Sequence, residues 1–106
     1  MTICSSGARE AAKHAILDVV GCMIAGAGDE GAAKVRDAVR GMGTGEAVVA
    51  GQLAKTSAPY AAMANGMASH SLDFDDTFME AVSHASASLA PALLALGHEG
   101  AYAFRV

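Results

Sequence analysis

The stretch from Asn65 to Leu96 decides how this chain is organised, and it reads NGMASHSLDFDDTFMEAVSHASASLAPALLAL. Its two ends are apolar and rich in Ala, which is typical of buried helices. Residues 72–84 show no clean period and are expected to form a loop. Within fifteen positions this part carries six side chains that can exchange protons, and five of them are His70, Asp73, Asp75, Asp76 and His84. The pattern predicts two helices separated by an acidic loop.

Two further helices are predicted upstream, because apolar residues recur there at helical spacing. The first covers residues 7–26, follows a possible cap at Ser5 or Ser6, and stops at Gly26. The second covers residues 30–41 and has Lys, Arg and Asp on its polar face.

The remaining elements complete a mainly α fold. Ala47–Ala50 is predicted to be a short extended segment, and Thr56 or Ser57 is expected to cap the third helix. The fourth helix is predicted over residues 86–97, where Pro91 can kink its start. The sequence therefore predicts four helices with one short extended segment.

Composition excludes several classes of protein. A chain of 106 residues forms one domain at most, and its net charge of −4 with no basic patch argues against a nucleic-acid partner. The apolar run Ala15–Gly28 is interrupted by Asp18 and is too short to cross a membrane. Two cysteines, Cys4 and Cys22, make no disulfide framework and indicate reduced thiols in the cytoplasm.

The quoted stretch resembles the MmgE/PrpD family, which includes 2-methylcitrate dehydratases and cis-aconitate decarboxylases. The matching residues are the Asn-Gly-x-x-x-His run at 65–70, the Leu-Asp-Phe-Asp-Asp-Thr block at 72–77, and a His-x-Ser formed by His84 and Ser86. With the weaker upstream matches, the resemblance covers residues 8–96.

The resemblance has departures. Ala85 stands where the family usually has Pro, and Phe78 stands where many members have His or Tyr. Residues 97–106 diverge, and family members are several times longer. The chain is therefore expected to be an N-terminal fragment, with residues 1–106 forming part of the family's large helical domain. The resemblance implies that further catalytic residues, including a lysine and another histidine, lie outside it.

The resemblance also implies a function. It indicates a lyase that acts on small polycarboxylic acids by proton transfer next to a carboxylate, and that is a homodimer when intact. Asp73 and His84 match catalytic positions, while Thr77 and His70 are expected to bind substrate. No cofactor and no metal are expected, and this chain alone is expected to be inactive.

The residues themselves support this reading but leave alternatives open. Three neighbouring carboxylates repel one another, which makes one of them a candidate proton carrier. His70 and Asp73 lie one helical turn apart and could orient each other, and Asp76 is expected to brace the loop. The same acidic loop could instead be solvated surface on a helical interaction module that has no catalytic role.

A metal site is a further alternative. Carboxylate and imidazole side chains in the loop could bind Mg²⁺ or Mn²⁺. The candidate ligands are Asp73, Asp75, Asp76, Glu80 and His84. Their spacing fits neither a calcium loop nor a zinc helix, so no metal is expected.

Overall fold

A computed structural model of the chain describes residues 4–100 and confirms the mainly α class. Four helices form this part of the chain, joined by loops and isolated bridges. They are α1 (Ser6–Gly26), α2 (Glu30–Val39), α3 (Ala58–His70) and α4 (Ala85–His98). Most of the diverging tail, residues 101–106, lies outside the described residues. Each predicted helix is therefore present, with ends that differ by a few residues at most.

Local capping explains where the first two helices begin. The Ser5 hydroxyl accepts a hydrogen bond from the Ala8 amide at 3.2 Å, as predicted for α1. The Asp29 carboxylate accepts one from the Gly31 amide at 2.8 Å and so starts α2. Both bonds satisfy amides that have no partner inside their helix.

The start of α3 is capped from a distance. Ser57 occupies the N-cap position as predicted, but its side chain makes no capping hydrogen bond. The Glu99 carboxylate, just beyond the end of α4, accepts a hydrogen bond from the Ala58 amide at 2.7 Å. This contact joins the start of α3 to the end of α4, so the two helices lie antiparallel.

Helix α3 lies at the centre and packs against the other three helices. Its buried side chains are small, which allows neighbouring backbones to approach closely. The closest approach is at Gly26, where a β-carbon would lie only 2.0 Å from the carbonyl oxygen of Ala68. The main apolar cluster consists of Val39, Ala47, Val49, Ala58, Ala61, Ala64 and Ala95.

The predicted extended segment is held against α3 by a buried side chain. Ala47 forms a single antiparallel bridge with Thr56. The Asn65 side chain then accepts a hydrogen bond from the Ala50 amide and donates one to the Val48 carbonyl, both at 2.9 Å. Asn65, which belongs to the run that suggested the family, therefore has a structural task here.

Replacing Asn65 by Ala is expected to destabilise the fold by about 2 kcal/mol, because it removes both hydrogen bonds and leaves backbone groups unpaired. Chemical denaturation monitored by circular dichroism measures the change. Met63→Ala on the exposed side of the same helix is the control and is expected to change stability by less than about 0.5 kcal/mol. Equal losses of stability in the two variants would contradict the structural role assigned to Asn65.

Proline inside α4 contributes to the contact with α3. Pro91 has no amide hydrogen, so the carbonyl of Ala87 loses its usual helical partner. The Ser69 hydroxyl donates to the Gly66 carbonyl at 2.8 Å and also lies 3.4 Å from the Ala87 carbonyl oxygen. A polar group of α3 thus faces the position that the proline frees.

Within residues 4–100, no single helix is long and apolar enough to cross a membrane. Helices α1 and α2 meet the length and composition requirement only when they are taken together, and they bend by 90° at the break between them.

Candidate functional site

The candidate site forms where α3 ends and α4 begins. Because the two helices are antiparallel, His70 at the end of α3 meets His84 at the N-cap of α4. The ring centroids lie 4.5 Å apart, with the planes inclined by 53°. The loop over residues 71–84 connects them, and an antiparallel bridge between Phe78 and Ser83 closes its outer turn.

One carboxylate of the loop is buried beneath both imidazoles. The Asp75 side chain has no solvent exposure. Its Oδ1 lies 2.9 Å from Nδ1 of His70, and its Oδ2 lies 3.2 Å from Nδ1 of His84. Both rings are partly exposed, so a buried carboxylate lies beneath two accessible imidazoles.

The hydrogen bonds determine which ring nitrogen of His84 carries a proton. Its Nδ1 lies 2.9 Å from the carbonyl oxygen of Asp76, and a carbonyl can only accept. Nδ1 therefore donates, which leaves Nε2 without a proton when the ring is neutral. Nδ1 of His70 donates to the Asp75 carboxylate in the same way. This arrangement fixes both rings and leaves both Nε2 atoms free of these bonds.

Asp76 braces the loop, as expected from the sequence. Its Oδ1 accepts a hydrogen bond from the Ser86 amide at 3.3 Å, and its Oδ2 accepts one from the Ser86 hydroxyl. Ser86 lies in the first turn of α4, where a negative charge is favoured by the helix dipole. The contact holds the loop against the start of α4.

An open pocket of about 340 Å³ lies between α3 and α4 beside the two histidines. Both apolar and polar side chains line it, and no Lys or Arg contributes to it among the described residues. The lining residues are Ala62, Met63, Gly66, Met67, His70, His84, Ala87 and Ser88. The pocket is large enough for a small organic acid and presents two imidazoles to it.

The structure brings together three of the four predicted site residues. His70, Asp73 and His84 lie in one cluster, whereas Thr77 is exposed and outside the lining of the pocket. Asp73 is exposed and has a φ of 55°, a left-handed conformation that Asp tolerates better than most residues. The substrate contacts of His70 and Thr77 and the catalytic roles of Asp73 and His84 all remain predictions.

Two details go beyond what the sequence predicts. The sequence left open whether His70 and Asp73 orient each other, and the carboxylate partner of His70 at hydrogen-bond distance is Asp75. Asp75 belongs to the acidic block but was not expected to be a site residue. Sequence spacing does not distinguish Asp75 from Asp76, because burial of one and exposure of the other depend on how the loop folds.

A buried thiol lies near the same carboxylates. Burial raises the pKa of Cys22 above its ordinary value, and the negative charges of Asp18, Asp75 and Asp76 raise it further. A protonated thiol is a poor nucleophile. Cys22 is therefore not a candidate nucleophile for this site.

We expect iodoacetamide at pH 8 to alkylate the exposed Cys4 quickly and Cys22 only after unfolding. Folding raises the pKa of the Cys22 thiol. This group therefore stabilises the fold fully below the pKa of a free thiol, and the stabilisation is lost as the pH rises through the raised pKa of the folded state. Mass spectrometry of the native and unfolded chain measures both sites. Equal alkylation of the two thiols in the native state would contradict the prediction.

Comparison with known protein families gives independent support for the family resemblance of the sequence. The family model described as the MmgE/PrpD N-terminal domain matches residues 2–101. The chain belongs to the MmgE/PrpD family. The match includes all four helices, the acidic loop and both histidines, and extends beyond the segment 8–96 that carries the resemblance. No curated protein and no solved structure matches the chain significantly.

Membership of the MmgE/PrpD family indicates what general kind of protein this chain comes from. The family is generally enzymatic, and the matched domain is the N-terminal one. The geometry described above therefore lies in a domain of an enzyme family, with two oriented imidazoles and a buried carboxylate beside an open pocket.

Proposed function

We propose that this chain provides the proton-transfer part of a lyase site for small polycarboxylic acids such as 2-methylcitrate or cis-aconitate. Dehydration, decarboxylation and epimerisation of such acids all involve proton transfer at a carbon near a carboxylate. A group that carries out this transfer must lie in the pocket with a free proton-accepting atom.

The observation that carries the proposal is the pair of imidazoles oriented through Nδ1. Because Nδ1 of His84 donates to the Asp76 carbonyl, Nε2 is the atom that accepts a proton from substrate. His70 lines the same pocket and binds a substrate oxygen in this proposal. Asp73 is the second acid–base group, and Thr77 contacts substrate once the loop closes on it. Asp75 is a positioning residue that holds the His70 ring through a hydrogen bond and lies against the His84 ring.

The charges around the pocket indicate which substrate-binding groups are missing from the described residues. A polycarboxylate is negative, and the loop that borders the pocket carries Asp73, Asp75, Asp76 and Glu80. The first turn of α4 favours a carboxylate through its dipole, but no Lys or Arg lines the pocket within residues 4–100. Cationic groups from another part of the enzyme are therefore needed, and the chain alone is proposed to be inactive.

The test is a hybrid enzyme in which residues 4–100 replace the corresponding segment of a MmgE/PrpD enzyme that dehydrates 2-methylcitrate. The hybrid is expected to form the unsaturated product, measured by its ultraviolet absorbance, while the 106-residue chain alone shows no turnover. His14→Gln serves as a control, because His14 is exposed on α1 and away from the pocket. A folded hybrid without activity on 2-methylcitrate or cis-aconitate would contradict the proposal.

A second candidate, a helical interaction module, is favoured by exposed apolar side chains. Large ones occur on both α1 and α4, and such exposure marks contact surfaces. They include Leu17, Ile24, Leu89, Leu93 and Leu96. In this second candidate function the acidic loop is solvated surface. Turnover by the hybrid enzyme would show that interaction with a partner is not the sole function of the chain.

The same exposed side chains support a homodimer as the assembled state. Sedimentation velocity of the 106-residue chain is expected to show self-association, because apolar faces are covered when two copies meet. A compact monomer with a cooperative melt near or above about 60 °C would argue against a homodimer.

The two cysteines indicate where the protein is located. The unpaired thiols Cys4 and Cys22 fit a reducing compartment, and we propose the cytoplasm.

A further inference from the structure

Four side chains at the site lie close enough together to surround one ion. His70, Asp73, Asp75 and His84 each offer one possible ligand atom, and these four atoms all lie within 4.8 Å of one another. They come from the end of α3, two positions of the loop and the start of α4. Packing of α3 against α4 therefore assembles the cluster.

A buried oxygen in this cluster has no hydrogen-bond partner. Among the described residues, nothing donates to Oδ2 of Asp75, although the atom is buried. Nδ1 of His84 is 3.2 Å away, but its hydrogen is directed to the Asp76 carbonyl at 2.9 Å. An unpaired carboxylate oxygen in the interior is costly, and buried charges in proteins are paired or coordinate metals. This oxygen is therefore a suitable ligand for a cation.

The dimensions and chemistry of the cluster select a class of ion. With metal–ligand bonds of about 2.0–2.2 Å, opposite ligands of one six-coordinate ion lie about 4.0–4.4 Å apart. A cluster within 4.8 Å closes around one ion with small movements. Imidazole suits Zn²⁺, Fe²⁺ and related transition ions, whereas Mg²⁺ and Ca²⁺ prefer oxygen ligands alone. Two carboxylates balance the charge of a divalent ion.

We propose that His70, Asp73, Asp75 and His84 bind one divalent transition-metal ion. This differs from the ligand set considered from the sequence, since Asp76 is engaged with Ser86 and Glu80 is outside the cluster. The proposal goes beyond the lyase function and does not depend on it. An ion held by the two imidazoles occupies groups that would transfer protons, so bound metal inhibits a lyase that uses them.

The test is a titration of the 106-residue chain with Co²⁺, which reports nitrogen and oxygen ligation through its visible absorption. A Cys4→Ser background removes the exposed thiol as a competing ligand. One Co²⁺ per chain is expected to bind, Zn²⁺ is expected to displace it, and excess Mg²⁺ is not. His70→Gln is expected to weaken binding by at least about 10-fold, since it removes a ligand.

Matched variants distinguish Co²⁺ binding at the proposed site from general effects of substitution on the protein. His14→Gln removes a histidine outside the cluster and is expected to bind Co²⁺ like the parent. Asp75→Asn keeps the size of the buried side chain and is expected to weaken binding as His70→Gln does. Circular dichroism establishes that each variant is folded. Binding that survives His70→Gln unchanged, or that is lost equally in His14→Gln, would overturn the proposal. Neither outcome depends on turnover.

Discussion

Replacing His84 by Gln in the hybrid enzyme is expected to lower kcat by about 10²–10⁴-fold, the usual contribution of a general acid or base. Gln is similar in length to the imidazole and polar but has no basic nitrogen, so a polar side chain remains at the N-cap of α4. What is lost is Nε2, the atom proposed to accept the substrate proton. Steady-state kinetics gives kcat and KM, and a thermal melt gives the stability.

The neighbouring carboxylates provide matched comparisons. Asp73→Asn is expected to lower kcat by a similar factor, and Asp75→Asn by about 10²-fold through misdirected imidazoles, with a changed pH–rate profile. Asp76→Asn is expected to lower the melting temperature while kcat stays close to normal, since Asp76 contacts Ser86. His84→Gln with a near-normal kcat, or with a loss that follows unfolding, would make His84 a structural residue.

Replacing Gly26 by Ala is expected to destabilise the fold by about 3 kcal/mol, at the upper end of the usual cost of overpacking. The new methyl carbon would lie 2.0 Å from the Ala68 carbonyl oxygen and 3.0 Å from its carbonyl carbon. These are backbone atoms of α3 and cannot turn aside as a flexible side chain can. Helix α1 must therefore move away from α3 near His70.

The control lies in the same helix. A methyl group on Gly21 would have no obstructing atom within 4 Å, so Gly21→Ala is expected to stabilise α1 by up to about 1 kcal/mol. Melts of the two variants are expected to shift in opposite directions, with a fall of roughly 10–20 °C for Gly26→Ala. Shifts of the same sign and size would show that the helices do not approach as described.

Local sequence patterns are sufficient to locate the helices and the loop. Apolar spacing and capping residues depend on neighbours within about four positions, so the sequence places the cap of α1 at Ser5 or Ser6 without knowledge of the fold, and the structure has it at Ser5. The lack of a period over residues 72–84 likewise locates the loop. The motif in this loop and its two histidines indicate the family from the sequence alone, and the family match confirms it.

Which acidic side chain controls the site depends instead on tertiary packing. Asp75 and Asp76 are adjacent and chemically equivalent in sequence, yet Asp75 is buried between His70 and His84 while Asp76 is exposed and bonded to Ser86. The capping of α3 by Glu99 likewise depends on how α3 and α4 pack together. These contacts join residues that are brought together by the antiparallel packing of α3 and α4. Local propensity carries no information about such packing, because it is the burial of apolar faces between the helices that brings the residues into contact.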